Sequence, residues 1–260
     1  MTLPRRSAPM LLGALLLAAP LVLTGCKKDD AAVTAAPSAG PVAPVPAPAG
    51  KMWSDVVSAT PDGGMRMGNP DARIKLVEYG SLSCPHCARL AREGMQTLID
   101  KYVNSGRVSY EFRSFPIHGI IDVPLTVMVK CASPEAFFPL VEQIYAEQDA
   151  MMDRAQKGNA QAQAAQNLPP AQRMVALADA FGLTEWFAAH GVSVDQSHAC
   201  LANASAAQAV ADQGEKWGQA GIDETPTLVI NGSKLQNVAT WGPNGPNPGL
   251  ETSLQQAGAR

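Results

Sequence analysis

Hydrophobic and polar residues alternate over residues 74–79, a pattern that predicts a β-strand. Ile74, Leu76 and Glu78 lie on one face of such a strand, because alternate side chains point the same way. Glu78 therefore points in the same direction as two aliphatic side chains, and we expect its carboxyl group to be buried.

A helical pattern follows this strand. Over residues 88–103 the hydrophobic residues recur every three or four positions, which predicts an amphipathic helix, and Gly106 is a natural end for it. A second alternation, at Val108, Tyr110 and Phe112, predicts another strand. A strand, a helix and a strand joined by connections of this length predict a βαβ unit with parallel strands.

The remainder of the chain is predicted to be helical first and then to return to strands. Candidate helices cover residues 123–132, 134–148, 171–181 and 195–218, and residues 156–166 fit either an exposed helix or a loop. Strand character resumes at Thr225. Asn231-Gly232 predicts a tight hairpin turn, after which residues 233–241 pair back and residues 250–256 form a closing helix. Before the βαβ unit, residues 52–68 fit an edge strand and a turn.

The N-terminal stretch is typical of an exported lipoprotein. Two arginines precede an apolar run over residues 10–23, which is short for a membrane span and is interrupted by Pro20. Residues 23–26, Leu-Thr-Gly-Cys, resemble the lipobox of bacterial lipoproteins, in which the peptide is cut before a cysteine that is then lipidated. We interpret residues 1–25 as a signal peptide and Cys26 as the lipidation site. An ordinary cleaved signal with an incidental cysteine is the alternative.

Residues 26–51 are predicted to be a lipid-anchored tether. They are rich in alanine, proline and valine, a composition that favours an extended spacer over a packed core. Lys27 directly after the lipobox cysteine favours the outer membrane over the inner one. We therefore expect the protein on the periplasmic side of a bacterial cell envelope, held to a membrane through its lipid.

Composition argues against a nucleic-acid partner. The net charge is −3, and it becomes more negative without residues 1–25, which hold Arg5 and Arg6 and no acidic residue. Nucleic-acid binding requires a basic face, and only 5% of the residues are aromatic, so no stacking platform is evident.

The motif Cys84-Pro85-His86-Cys87 stands between the first strand of the βαβ unit and its helix. Two cysteines at this spacing, in this context, are typical of a redox pair. A structural disulfide or half of a zinc site is the alternative, but zinc needs two further ligands, and no second such motif or paired histidine is present. We predict neither a metal nor a cofactor. The other histidines are interpreted as structural or surface residues, with His118 the least certain because it follows a strand end.

The element order and two segments resemble the DsbA family of thiol–disulfide oxidoreductases. The segments are residues 78–87, Glu-Tyr-Gly-Ser-Leu-Ser-Cys-Pro-His-Cys, and residues 224–232, Glu-Thr-Pro-Thr-Leu-Val-Ile-Asn-Gly, within a resemblance that spans residues 53–257. It implies an α/β, thioredoxin-like fold (βαβ…ββα) with an inserted helical subdomain. The thioredoxin-like parts then cover residues 52–118 and 222–260, and the helical insertion covers residues 119–221.

The position of the motif predicts its chemistry. Cys84 at a helix N-terminus is favoured as a thiolate by unpaired backbone N–H groups and the helix dipole, and His86 adds a donor or a positive charge. A lower thiol pKa stabilises the reduced form, so the disulfide becomes a better oxidant. We expect Cys84 to be the exposed, attacked sulfur and Cys87 the buried resolving partner, with Pro85 between them as part of the catalytic motif.

The resemblance adds further residues. It implies that Pro226 is a cis-proline beside the dithiol and that the backbone of Thr225 pairs with an extended substrate segment. It also implies that Glu78 relays protons to the buried cysteine. Thr225 itself departs from the family pattern, because some relatives carry an aliphatic residue there.

The resemblance further implies that Cys131 and Cys200 form a second, structural disulfide. Two separate buried thiols are the alternative.

We thus predict an oxidase that passes the Cys84–Cys87 disulfide to exported proteins through a mixed disulfide at Cys84. A DsbB-like membrane quinone reductase is the expected reoxidant. A reductase or an isomerase is the mechanistic alternative, and a lipoprotein that holds copper through its thiolates is the alternative from another class.

Overall fold

The computed structural model describes residues 40–245 and 247–260. The predicted signal peptide, Cys26 and most of the predicted tether lie outside the described residues.

Six strands form one mixed sheet, with the order β1-β2-β4-β3-β5-β6. The strands are β1 (Val57–Ala59), β2 (Met65–Gly68), β3 (Ile74–Gly80), β4 (Val108–Ser114), β5 (Thr227–Ile230) and β6 (Ser233–Lys234). Strands β3 and β4 are parallel, as predicted for the βαβ unit, and the other neighbours are antiparallel. The predicted pairing of residues 233–241 is wrong beyond Lys234, because the chain leaves the sheet and Asn237 takes a left-handed conformation.

Among the helices that cover the face of the sheet with Glu78, two lie around its carboxyl group. Helix α1 (Pro85–Thr97) continues as a π-helical segment, Leu98–Val103, and helix α10 is Leu250–Gln256. Leu90 of α1 and Leu250 of α10 lie around Glu78, so the apolar face predicted for residues 88–103 covers the buried carboxyl group.

Eight helices lie between β4 and β5. They are α2 (Gly119–Cys131), α3 (Pro134–Ala146), α4 (Gln148–Lys157), α5 (Asn159–Ala165), α6 (Pro170–Ala180), α7 (Leu183–Ala189), α8 (Val194–Leu201) and α9 (Ala204–Gln219). The single helix predicted for residues 195–218 is wrong. The chain breaks it at Asn203, whose side chain accepts hydrogen bonds from the backbone N–H groups of Ser205 and Ala206 and so starts a new helix.

A disulfide joins two of these helices. Cys131 ends α2 and Cys200 lies near the end of α8, with their Cα atoms 6.1 Å apart. The bond closes a loop over a sequence separation of 69 residues and ties together the start and end of the helical block.

The last part of the predicted tether contacts the folded domain. Residues 41–53, the N-terminal strap, include the buried side chain of Val42, whose N–H donates to Gly258 O at 2.9 Å and whose carbonyl accepts from Arg107 Nε at 2.8 Å. The N–H of Val45 donates to Ser105 O at 2.9 Å. The prediction of a free spacer is therefore wrong for these residues, because their backbone groups bond to the domain.

Candidate active site

Cys84 and Cys87 lie where β3 runs into α1. Cys84 is the N-cap residue of α1, Pro85 is its first residue, and the Cys84 carbonyl accepts the first helical hydrogen bond, from Ala88 N at 3.1 Å. Both cysteines are free thiols. Proline suits this first position because it has no N–H to leave unpaired and its fixed φ fits the helix.

Both sulfur-bearing residues are buried, Cys87 fully and Cys84 with 5% of its surface exposed. The expectation that Cys84 is exposed is therefore wrong, although Cys84 remains the more accessible of the two cysteines. The cover comes partly from Thr225, whose carbonyl oxygen lies 3.3 Å from Cys84 Sγ.

The two thiols have strongly different acidities. The pKa of Cys84 is lowered to about 5, mainly by a hydrogen bond from the Cys87 thiol and further by the Thr225 side chain and the backbone N–H groups of Cys87 and His86. Burial opposes this shift. The pKa of Cys87 is raised, first by burial, then by its hydrogen bond to Cys84 and by the charges of Glu78 and Cys84. Near neutral pH the pair thus holds one thiolate, on Cys84, and one proton, on Cys87.

Glu78 is buried on the covered face of the sheet, as the alternation predicted. The phenol of Tyr110 on β4 donates to Glu78 Oε2 at 2.7 Å. Burial raises the pKa of Glu78 to about 7 against the lowering effect of this hydrogen bond, and the Cys84 charge raises it further. The carboxyl group can therefore change protonation near neutral pH and is electrostatically coupled to both thiols.

The peptide bond between Thr225 and Pro226 is cis, and it lies against the dithiol. These residues line a groove of about 340 Å³ together with His86, which is exposed, and Arg89 of α1. His86 thus stands at the side of the groove where a chain lying along Thr225 would pass.

Several residues around the dithiol carried no assigned role in the sequence. Ser81 and Ser83, which precede Cys84, bond to the buried carboxylate of Asp122 on α2, and Ser83 Oγ lies 3.0 Å from His118 Nδ1. Gln148 on α4 donates to the carbonyl of Cys84 at 3.2 Å. A charged residue in the apolar stretch Ile120-Ile121-Asp122-Val123 was the one local signal of this network.

The larger cavity of about 440 Å³ lies on the other face of the sheet, where Lys75, Val77 and Tyr79 point. It contains no thiol, so the chemistry places the candidate site at the dithiol. Among the described residues, no group of three or more histidine, cysteine or acidic side chains could hold a metal ion. In the same part of the chain, no helix is long and apolar enough to cross a membrane.

The family model described as Thioredoxin matches residues 60–242, which hold the sheet from β2 onward, the dithiol, the helical insertion and the cis-proline. The chain belongs to the thioredoxin family. The predicted thioredoxin-like fold with a helical insertion is thereby confirmed. The match runs through the whole helical block, so the insertion is part of the family pattern.

Similar proteins agree with this family membership. A crystal structure of a protein-disulfide isomerase from Novosphingobium aromaticivorans shares 28% identity with this thioredoxin-family chain, with a TM-score of 0.66 over 73% of this chain and 94% of that one. The structure of α-DsbA1 from Wolbachia pipientis, at 21% identity and a TM-score of 0.52, covers 66% of this chain and 76% of its own and shares the fold.

A Rickettsia bellii protein named for protein-disulfide oxidoreductase activity is 32% identical over 84 residues. The matched segment spans about a third of that protein and about a third of this chain.

Proposed function

We propose that this protein is a thiol–disulfide oxidoreductase of the bacterial cell envelope and that it acts as an oxidase of exported proteins. The observation that carries the proposal is the contrast between the two thiols, a Cys84 with a pKa of about 5 beside a buried Cys87 with a raised pKa. A stable Cys84 thiolate favours the reduced pair, and this makes the Cys84–Cys87 disulfide an electron acceptor for other thiols.

In the first step a substrate thiolate attacks Cys84 Sγ. A bond forms between the two sulfurs, the Cys84–Cys87 bond breaks, and Cys87 leaves with the electron pair. Cys87 then takes a proton, because its raised pKa disfavours the thiolate. Glu78 is the proposed donor, since its pKa of about 7 keeps part of the carboxyl group protonated near neutral pH.

In the second step another substrate thiolate attacks the substrate sulfur of the mixed disulfide. Cys84 leaves as a thiolate, and its lowered pKa makes it a good leaving group. The substrate has lost two electrons and two protons and carries a new disulfide. The reduced pair must pass those electrons on, and a DsbB-like membrane quinone reductase is the proposed acceptor.

Thr225 and Pro226 are the proposed substrate-binding residues. They line the groove beside the dithiol, and a chain extended along the Thr225 backbone would bring its cysteine to Cys84. His86 lies across the same groove and is proposed to favour the thiolate through its exposed ring and its backbone N–H.

The direction of electron flow is tested by equilibrating the Cys84–Cys87 pair with reduced and oxidised glutathione. If the protein is an oxidase, the equilibrium mixture should contain mostly reduced protein and oxidised glutathione. The oxidised protein should also form disulfides in a reduced, unfolded substrate. With oxidised glutathione as the electron acceptor, the Cys87→Ala variant should accumulate a mixed disulfide at Cys84 that no second cysteine resolves, and Cys84→Ala should form none. An equilibrium like that of a reducing thioredoxin would contradict the oxidase proposal.

An isomerase is the second candidate, since that activity is named for the Novosphingobium aromaticivorans structure. Refolding of a substrate with scrambled disulfides separates the two, because an isomerase acts in its reduced form and an oxidase in its oxidised form. Stoichiometric copper in the purified reduced protein, with no disulfide exchange, would contradict both.

Lipid anchoring through Cys26 is a separate proposal, and it rests on the lipobox resemblance. Cys26→Ser should move the protein from the membrane fraction to the soluble fraction of the cell envelope. Recovery of the unaltered protein in the soluble fraction would contradict the anchor.

A further inference from the structure

The four residues before and at the helix start, Ser81–Cys84, form the active-site loop. All four are buried, with at most 7% of any residue exposed. Loop backbone groups that neither a strand nor a helix pairs must find other partners, because a buried polar group without a hydrogen bond destabilises the fold.

Three side chains of the helical insertion supply these partners. Asp122 accepts from Ser83 N at 3.0 Å and from Ser81 Oγ at 2.8 Å. The phenol of Tyr145 donates to Ser81 O at 3.1 Å. Gln148 Nε2 donates to Leu82 O at 2.9 Å and to Cys84 O at 3.2 Å. We call Asp122, Tyr145 and Gln148 the loop clamp.

The loop clamp comes from three different helices and is buried throughout. Asp122 lies on α2, Tyr145 on α3 and Gln148 on α4, each with at most 2% of its surface exposed. Polar side chains are rarely this buried unless they make hydrogen bonds. The hydroxyl group of Tyr145 and the amide N–H groups of Gln148 donate to the active-site loop. The clamp is therefore built around the loop.

We propose that Asp122, Tyr145 and Gln148 are positioning residues that hold Cys84 at the start of α1, so that the helical insertion sets the redox equilibrium of the Cys84–Cys87 pair. The bonds that favour the Cys84 thiolate are short-range, from the Cys87 thiol and from the N–H groups of His86 and Cys87. Such bonds weaken steeply with distance and angle, so a small displacement of Cys84 reduces them. This inference deepens the proposed function, and it uses that function only in taking Cys84 as the reacting sulfur.

The test substitutes Gln148→Met in the full chain. Methionine keeps the length of the side chain and its apolar stem but loses the donor to two carbonyl groups. We expect the pKa of the Cys84 thiol, read from the thiolate absorbance against pH, to rise. We also expect the equilibrium with glutathione to shift about threefold to tenfold toward the oxidised protein, because one pKa unit corresponds to a factor of ten.

Thr184→Val is the matched control. It also removes a hydrogen bond made by a buried side chain of the insertion, the 2.6 Å bond from Thr184 Oγ1 to Oδ1 of the exposed Asp179, without contacting the loop. It should lower the free energy of unfolding and leave the thiol pKa and the glutathione equilibrium at their original values.

The proposal is overturned if Gln148→Met lowers stability as Thr184→Val does but leaves both the pKa of Cys84 and the glutathione equilibrium unchanged. If Gln148→Met does not fold, Tyr145→Phe takes its place, because it removes a single hydroxyl group and its one bond to Ser81 O. The comparison is between variant and unaltered protein, so it stays decisive even if the unaltered protein proves to be a reductase.

Discussion

The phenol of Tyr110 donates a 2.7 Å hydrogen bond to Glu78 Oε2, and Glu78 Oε1 has no hydrogen-bond partner among the described residues. A single donor is little compensation for a fully buried carboxyl group, and this explains why burial dominates and raises its pKa to about 7. The buried carboxyl group that is electrostatically coupled to both thiols is thus only about half ionised near neutral pH.

Glu78→Gln should flatten the dependence of stability on pH. A carboxyl group with a raised pKa in the folded state stabilises the fold fully below its unfolded pKa, near 4.5, and loses that contribution as the pH rises through about 7. The amide does not titrate, so the variant should gain about 2.5 kcal/mol over the unaltered protein between pH 5 and pH 8. Urea unfolding of the reduced protein, in which Cys84 carries the charge that helps to raise this pKa, measures the difference. The exposed Glu185→Gln is the control, and a variant that keeps the original profile would contradict the prediction.

Tyr110→Phe should raise the pKa of Glu78 further. The lost hydrogen bond favours the ionised carboxylate, so the variant should be destabilised more at pH 8 than at pH 5, by about 1.5–3 kcal/mol at the higher pH. Tyr79→Phe is the matched control, because its hydroxyl accepts from Arg113 Nη1 on the opposite face of the sheet. An equal loss for both variants at both pH values would show that Tyr110 does not act on Glu78.

The reduced protein should gain stability over the oxidised protein as the pH rises. The pKa of Cys84 is depressed from 9.0 to about 5, so its contribution is complete above pH 9 and is lost as the pH falls through about 5. Unfolding of both redox forms at pH 5, 7 and 8 measures the difference. Cys84→Ala cannot form the disulfide, so it is compared with the reduced unaltered protein, relative to which it should lose stability as the pH rises. A difference between the two forms that does not change with pH would rule out a stabilised thiolate.

Removal of the Cys131–Cys200 disulfide should cost stability. The bond closes a loop over 69 residues of sequence, for which the loop-entropy model gives about 4 kcal/mol. The double variant Cys131→Ala and Cys200→Ala, compared with the unaltered protein in urea, measures it. The glutathione equilibrium of Cys84 and Cys87 should stay the same, and a loss below about 1 kcal/mol would show that the bond does not constrain the unfolded chain as the model assumes.

Gly94→Ala should destabilise the protein by about 1–3 kcal/mol, because a Cβ there meets the indole ring of Trp241. The control is Gly218→Ala in α9, where a Cβ meets no atom within 4 Å. That substitution should stabilise the helix by about 0.5–1 kcal/mol. Thermal unfolding of the two variants should shift the midpoint in opposite directions, and a shift in the same direction would contradict the packing argument.

The β-strands, the helix after the dithiol and the redox motif could be predicted because each depends on a short stretch of sequence. The burial of Glu78 is predicted by the two aliphatic residues on the same face of its strand. The redox pair is predicted by the spacing of Cys84 and Cys87 within four consecutive residues. The alanine- and glutamine-rich helices α4 and α5 were poorly predicted, since their apolar faces are weak.

Tertiary contacts account for what the sequence did not predict. Gln148 lies 64 residues from its partner Cys84, and Thr225, which covers Cys84, lies 141 residues away. No local sequence pattern predicts a contact between residues this far apart along the chain. The sequence therefore indicated the reacting sulfur, the family resemblance added Thr225 and Pro226 beside it, and Gln148, which bonds to the loop, was not predicted.

The N-terminal strap bears on which way the domain faces. It bonds to Ser105 and Arg107, just before β4 begins. Cys84 follows the opposite end of the parallel strand β3. The two places are therefore separated by about the length of a strand, roughly 20 Å at about 3.3 Å per residue. With Cys26 lipidated as proposed, residues 27–40 give a leash of at most about 50 Å. The proposed anchor would then be connected to the domain through the N-terminal strap, which bonds at the end of the sheet away from the dithiol. Under the proposed anchoring, a substrate from solution would approach the groove beside Cys84 from the side away from the strap, whereas a reoxidant in the same membrane would require the domain to turn over.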